Sequence, residues 1–318
     1  MKKLVFAVFL GLPMAAHGAS FAYPDWAYGV PTPQNEAVAP KDDGTLFSLP
    51  GAKGRFTRGQ ISGANHKSPA DWYPGDHPAM PRIVAAGDPG RGITACAGCH
   101  NPNGRGRPQN AGIAGLDAGY LVRQLHDFKA GTRKSAEPRK HNAQQMVDFA
   151  KAMTEAEMRQ AAAYYASLPP TAPIKVMETA TVPGMRSQEG MWLPDASRPR
   201  EKIGIRVIET PADVDREQLR DPHAGFIAWV PRGAVAKGKR LADTLGCAGC
   251  HGEKLTGNGE TAPGIAGRSP SYLGRQLYDF HKGSRHGEMA ALMQPIVANL
   301  TAGDVVNLTA YLASLPAR

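Results

Sequence analysis

Two stretches of this chain carry apolar residues at one helical spacing: Leu121, Leu125 and Phe128 in the first, Leu273, Leu277 and Phe280 in the second. Steps of four and three residues line one face of an α-helix, so a helix is predicted across residues 117–130, with a counterpart around Leu273. Such a stripe is a face packed into a core. Further on, Thr154-x-x-Glu157 has the form of a capping box, opening a helix that runs to Leu168 and stops at Pro169-Pro170. A partner helix opens near Thr301, buries Val305, Leu308, Leu312 and Leu315, and ends before Pro316. Two shorter apolar segments, Ile203–Glu209 and Phe226–Val230, have strand length and predict a small β-hairpin.

These pairs of elements belong to an internal repeat. Ile113-Ala114-Gly115 matches Ile265-Ala266-Gly267 at an offset of 152, and so do Tyr120-Leu121 with Tyr272-Leu273, Arg123-Gln124-Leu125 with Arg275-Gln276-Leu277, Asp127-Phe128 with Asp279-Phe280, and Gly131 with Gly283. The first copy then carries five extra residues and the offset falls to 147, aligning Thr154 with Thr301 and Tyr164 to Pro169 with Tyr311 to Pro316. Two copies of one mainly helical domain account for this. The chain divides into residues 1–19 (a leader), 20–88 (an extension), 89–169 (domain 1), 170–233 (a linker holding the hairpin) and 234–318 (domain 2).

All four cysteines of the 318 residues lie at the head of the repeat, in Cys96-Ala97-Gly98-Cys99-His100 and Cys247-Ala248-Gly249-Cys250-His251. Cys-x-x-Cys alone is ambiguous between a redox dithiol and half of a zinc site. The histidine that follows both copies makes each a c-type haem attachment: the thiols of Cys96 and Cys99, or of Cys247 and Cys250, add across the two vinyl groups, and His100 or His251 binds the iron. Two covalently bound haem c groups are expected.

The sixth ligand decides what each iron can do. Met146 and Met293 stand eight residues before Thr154 and Thr301, so they occupy equivalent positions. Met153 aligns with Leu300 and His126 with Tyr278, while His141 and His286 do not align with one another. A lone methionine is usually core filling, but the pairing of Met146 with Met293 points to axial ligands. With histidine on one side and methionine on the other, an iron has no open position for substrate, and the thioether favours Fe(II). The expected function is single-electron transfer.

Both repeats resemble class I cytochrome c domains, and their tandem arrangement resembles the two-haem cytochrome c4 family. The resemblance rests on Pro263-Gly264-Ile265-Ala266-Gly267, Tyr272-Leu273, Gln276-Leu277, Phe280, Gly283, Arg285, Met293 and Leu300 to Leu315, and it covers about 165 of 318 residues. It implies that the backbone carbonyl of Pro263 accepts from Nδ1 of His251. The first repeat has Ala111 there, so its shell around the haem is expected to be the looser. The electron path implied runs from a periplasmic or membrane-bound dehydrogenase, or a quinol-oxidising complex, to a terminal oxidase or similar acceptor. Two further readings are a redox enzyme of the thiosulfate dehydrogenase or peroxidase kind, with a catalytic haem in the first repeat and His141 able to replace Met146, and the cytochrome subunit of a specific dehydrogenase.

The leader and the charge complete the picture. Lys2 and Lys3 precede an apolar run from Leu4 to Ala16, followed by Gly18, Ala19 and Ser20, the three-part pattern of a secretory signal. The run is too short to span a bilayer and Pro13 shortens it further, so a retained anchor is the lesser reading and the periplasm the expected compartment. With 20% charged residues and a mean hydropathy of -0.35, no later stretch has the character of a span. The formal net charge is +9. Residues 89–169 hold 11 Lys and Arg against 6 Asp and Glu, and residues 234–318 hold 9 against 6, whereas residues 20–88 (6 against 7) and 170–233 (9 against 9) are nearly neutral. Basic haem domains suit redox protein partners with an acidic docking face. No basic run or aromatic nucleic-acid motif appears, which sets nucleic acid aside. The extension and linker are expected to wrap the haem domains or to dock a partner.

Overall fold

Each haem domain takes its shape from helices whose ends are fixed by their own side chains. The computed structural model describes residues 21–63, 68–171 and 174–317; the leader expected over residues 1–19 lies outside the described residues. Helix Ala118–Ala130 is capped by Asp117, whose carboxylate accepts from the Tyr120 amide at 3.0 Å, and stops at Gly131 with φ 73°, the left-handed turn that glycine enters without penalty. Its counterpart Pro270–His281 is capped by Ser269, which accepts from the Tyr272 amide at 3.2 Å, with Pro270 in the first turn. Thr154 and Glu157 close a reciprocal capping box on helix Glu155–Ser167, and Thr301 and Asp304 close the same box on Ala302–Ser314.

These helices enclose two apolar cores. In domain 1, Ile93, Met158 and Tyr165, joined by Ile83 and Val84 from the end of the extension, pack beneath Leu121, Leu125 and Phe128. In domain 2, helix Ala234–Thr244 crosses Ala302–Ser314 at Gly238, where a β-carbon would lie 1.9 Å from the Asn307 carbonyl. Only glycine permits that approach.

The linker holds more than a hairpin. Strand Ile208–Pro211 pairs antiparallel with Phe226–Pro231, as expected of the two apolar segments, but the first strand begins later than Ile203 and the connection between them contains the short helix Val214–Gln218. Residues 203–207 are no strand: Ile203 and Val207 are buried while Ile205 is 65% exposed. A third strand, Ile174–Thr179, lies parallel to Phe226–Pro231 on its other side. Val182, Ile208, Ala228 and Val230 join the core of domain 2 against Val305 and Leu308. A separate hairpin, Met185–Gln188 with Met191–Pro194, turns at Glu189 (φ 51°) and Gly190 (φ 81°), the doubly left-handed turn that suits the twist of two strands.

The extension wraps both domains. Trp26 lies against helix Pro270–His281 at Gly274, where a β-carbon would come within 2.6 Å of the indole, and Phe21 meets Tyr278 edge to face at 5.5 Å. Further along, Leu49, Ile61 and Trp72 form a small core of their own, and the Trp72 indole donates to the Leu219 carbonyl at 2.8 Å.

Candidate haem sites and the network between them

The first Cys-x-x-Cys-His motif ends a single helical turn, Ala97–His100, that starts at Cys96. Nδ1 of His100 lies 2.8 Å from the Ala111 carbonyl. That oxygen can only accept, so Nδ1 carries the proton and Nε2 is left with a free lone pair. Burial outweighs the hydrogen bond and lowers the His100 pKa, keeping the ring neutral as a metal ligand requires. Burial pushes the Cys96 thiol up to about 12, which disfavours a redox thiolate there.

His100 faces an apolar cavity lined by Leu121, Leu125, Phe128, Met146, Phe149 and Tyr165, so Met146 and His100 share one chamber. Met146 sits half-buried within helix His141–Ala152. Met153 lines the same cavity, buried at 5% exposure. His141 is exposed at the start of that helix, and the lining takes in Lys140 and Asn142 but not His141.

The second site repeats the histidine–carbonyl geometry. Helix Cys247–His251 presents His251, whose Nδ1 lies 2.8 Å from the Pro263 carbonyl. Burial again lowers the ring's pKa. Met293 sits where the tight turn Glu288–Leu292 meets helix Gln294–Val297, and it packs with Cys247 against the cluster containing Tyr278, Phe280 and Val297. The Ala111 and Pro263 carbonyls are equally close to their histidines, so the first site keeps its carbonyl bond without a proline. A carbonyl belongs to the backbone and serves whatever side chain follows it. Exposure, in contrast, differs between the motifs: Ala97 and Gly98 are buried, whereas Ala248, Gly249 and Cys250 are exposed.

Between the two sites lies a set of polar side chains that motif reading passed over. Arg133 donates to Gln124 Oε1 at 2.9 Å, to Gln276 Oε1 at 2.9 Å and to the Tyr272 hydroxyl at 3.2 Å. Arg285 donates to Gln276 Oε1 at 3.0 Å, to Gln124 Oε1 at 2.8 Å and to the Tyr120 hydroxyl at 3.1 Å. Each residue on one side has its counterpart 152 positions away on the other, so the contacts are reciprocal across a near two-fold axis. The repetition of Tyr120, Gln124 and Arg133 as Tyr272, Gln276 and Arg285 at one offset was the available signal. The five extra residues of the first repeat lie in this region, where Lys134 N donates to Ser284 O at 2.9 Å, His286 N to Thr132 O at 2.8 Å and Ala136 N to Asp279 at 2.8 Å.

The interface is rich in buried cations. Arg133, Lys140, Arg268, Arg275 and Arg285 are all 9% exposed or less, and burial drives Lys140 well below its ordinary pKa. The nearby acids are Asp279, pushed up to about 6 by burial, and Glu209, also raised by burial. Unmatched buried cations are costly, and Arg133, Lys140 and Arg275 line the first cavity. Carboxylates are the anions that such a wall would hold, and haem propionates are of that kind. Apolar chamber, held imidazole, paired thiols and cationic rim together fit haem c.

This site, the second Cys-x-x-Cys-His motif with its equally held imidazole, and the tandem helical domains define a two-haem class I c-type cytochrome, an electron carrier with two covalently bound haem c groups. The cytochrome c family model matches residues 88–169 and 235–316, and the chain belongs to that family. It is similar to a thiosulfate dehydrogenase electron acceptor of Thiomonas intermedia (strain K12), 27% identical over 75% of this chain and 85% of that protein. It is also similar to cytochrome c4 of Azotobacter vinelandii, 26% identical over 73% of this chain and 90% of that protein. Among solved structures, a thiosulfate dehydrogenase from Marichromatium purpuratum in its as-isolated form matches with a TM-score of 0.50 and 29% identity; the match covers 74% of this chain and 39% of that longer one.

Proposed function

We propose that this protein carries single electrons between an exported dehydrogenase or quinol-oxidising donor and a terminal oxidase or similar acceptor, with His100 and Met146 holding one iron and His251 and Met293 the other. Haem c supplies a one-electron iron couple that needs little rearrangement. The chain's own residues do the rest. The Ala111 and Pro263 carbonyls orient the imidazoles, the two methionines close the opposite sides, and Leu121, Leu125, Phe128 and their counterparts exclude water. Residues 89–169 and 234–318 act as the two haem domains, while residues 20–88 and 170–233 cover them.

The observation that carries this reading is the sharing of one apolar chamber by His100 and Met146. Among the described residues no helix is long and apolar enough to cross a membrane, which accords with delivery of the haem domains to the periplasm by the leader. Relatives named as thiosulfate dehydrogenase electron acceptors make a thiosulfate-oxidising enzyme the first donor to test. The exposed position of His141, off the cavity wall, speaks against its replacing Met146.

The test combines the purified holoprotein with thiosulfate, alone and with a thiosulfate dehydrogenase, and follows the haem spectrum. Reduction only when the dehydrogenase is present, by two electrons per chain and without binding of carbon monoxide, is the expected result. Turnover of thiosulfate by this chain alone, or carbon monoxide binding at one haem, would overturn the proposal.

A further inference from the structure

The two haem motifs are matched in sequence and opposite in setting. In the second, Ala248, Gly249 and Cys250 are exposed, a β-carbon on Gly249 would meet nothing within 4 Å, and most of the loop 253–261 is open to solvent. In the first, Ala97 is 2% exposed, Gly98 is buried, and so is most of the loop 101–109. The difference lies in what the extension and linker lay over domain 1.

Three pieces lie over the first motif and the loop that follows it. Arg220, held at φ 53° just past helix Val214–Gln218, donates to the Gly98 carbonyl inside the motif itself. Asn103 Nδ2 donates to the Pro222 carbonyl at 3.0 Å, and Glu217, buried completely, takes Arg105 at 2.9 Å and Arg107 at 2.6 Å. The Glu189–Gly190 turn comes down beside them: a β-carbon on Gly190 would lie 3.5 Å from Gln109 and from the Tyr28 carbonyl of the extension, and 3.7 Å from Lys140 Nζ. Trp72, through its bond to Leu219, ties the extension to the same segment.

A haem bonded to Cys96 and Cys99 has its thioether edge along this motif, because the bonds are to its own vinyl carbons. Electron exchange between proteins falls steeply with edge-to-edge distance, so a covered edge exchanges slowly. We propose that the segments around Tyr28, Gly190 and Glu217–Ala224 seal the thioether edge of the first haem, so that external partners exchange electrons at the second haem and the first is charged and discharged through it. The carrier then has one port and holds two electrons. The arginine network of Arg133 and Arg285, which joins the domains without any such cover between them, lies on the internal route. This inference rests on the electron-carrier reading, but the sealing itself is read without any partner.

The first test uses the intact, fully reduced and diamagnetic holoprotein, with the haem protons assigned to each domain by NMR. A neutral gadolinium chelate is titrated in. Relaxation enhancement at the protons beside the thioether bonds should be several-fold greater for the second haem than for the first, and Arg220→Ala should narrow the gap. Equal enhancement in the intact protein overturns the proposal even where the carrier function stands. The second test compares full-length chains with one haem: Cys247→Ala/Cys250→Ala should react with a soluble one-haem cytochrome c about tenfold or more slowly than Cys96→Ala/Cys99→Ala, since the encounter lacks an accessible edge. Comparable rates overturn it. Where a one-haem chain fails to fold, the relaxation ratio on the intact protein decides.

Discussion

Replacing Glu217 by glutamine removes a charge whose surroundings leave no substitute. The Glu217 side chain is 0% exposed, and its partners Arg105 and Arg107 are 1% and 6% exposed at 2.9 and 2.6 Å. Removing one member of a buried ion pair leaves the other charge uncompensated, a loss of about 3–5 kcal/mol. For a unit of this size each kcal/mol lowers the melting temperature by roughly 2–4 °C, so Glu217→Gln is expected to melt about 6–20 °C below the parent. The loss falls on the covering segment before the haem domains, because that segment can open locally. Burial alone would raise the Glu217 pKa, but the attraction of Arg105 and Arg107 outweighs it and holds the carboxyl below its ordinary 4.5. A depressed folded-state pKa contributes stability that is present above about pH 4.5 and is lost as the pH falls through the folded value. The acid limb of stability should therefore flatten in Glu217→Gln. Circular dichroism melts across pH, with hydrogen exchange mapped over residues 185–224, read both effects. A melt within about 1 kcal/mol of the parent at pH 7, with unchanged exchange, refutes the shielding argument. Replacing Arg105, Arg107 and Glu217 together by apolar residues of similar size should recover much of the loss.

Arg133→Ala and Arg285→Ala each remove a buried cation from between the haem domains, and each should lower the potential of the adjacent haem, since positive charge favours Fe(II); a redox titration showing no change would deny these arginines an electrostatic role. Trp26→Ala empties the contact over Gly274 and should cost about 3–5 kcal/mol, read by denaturant unfolding, with a loss under 1 kcal/mol placing the extension outside the cooperative fold. Exchange with an acidic redox partner should slow as salt rises, because the haem domains carry the excess basic charge; stopped-flow rates independent of ionic strength would remove charge from the docking account.

What the sequence made legible follows from how local each determinant is. Cys96, Cys99 and His100 lie within five residues, as do Cys247, Cys250 and His251, and their chemistry is written in their spacing. Thr154 and Thr301 announce helix starts because a cap is satisfied three residues away. The repeat singled out Met146 and Met293 as the proposed ligands, which no local rule could separate from the other methionines. The strand Ile174–Thr179 was not legible, because its partner Phe226–Pro231 lies some fifty residues on and parallel pairing leaves no turn signature. Glu217 carried no signal in the sequence, since Arg105 and Arg107 stand 112 and 110 positions away. The cover over the first motif was not legible for the same reason: Gly98 is bonded by Arg220, 122 positions away.

The central claim, that each iron is closed by histidine and methionine, is tested most directly by the thioether-to-Fe(III) charge-transfer band of the oxidised protein. Two equivalents of that band per chain are expected, with one lost in Met146→Ala and the other in Met293→Ala, each variant then binding carbon monoxide at one reduced haem. One equivalent in the parent protein, or a methionine variant that leaves the band unchanged, would contradict the account.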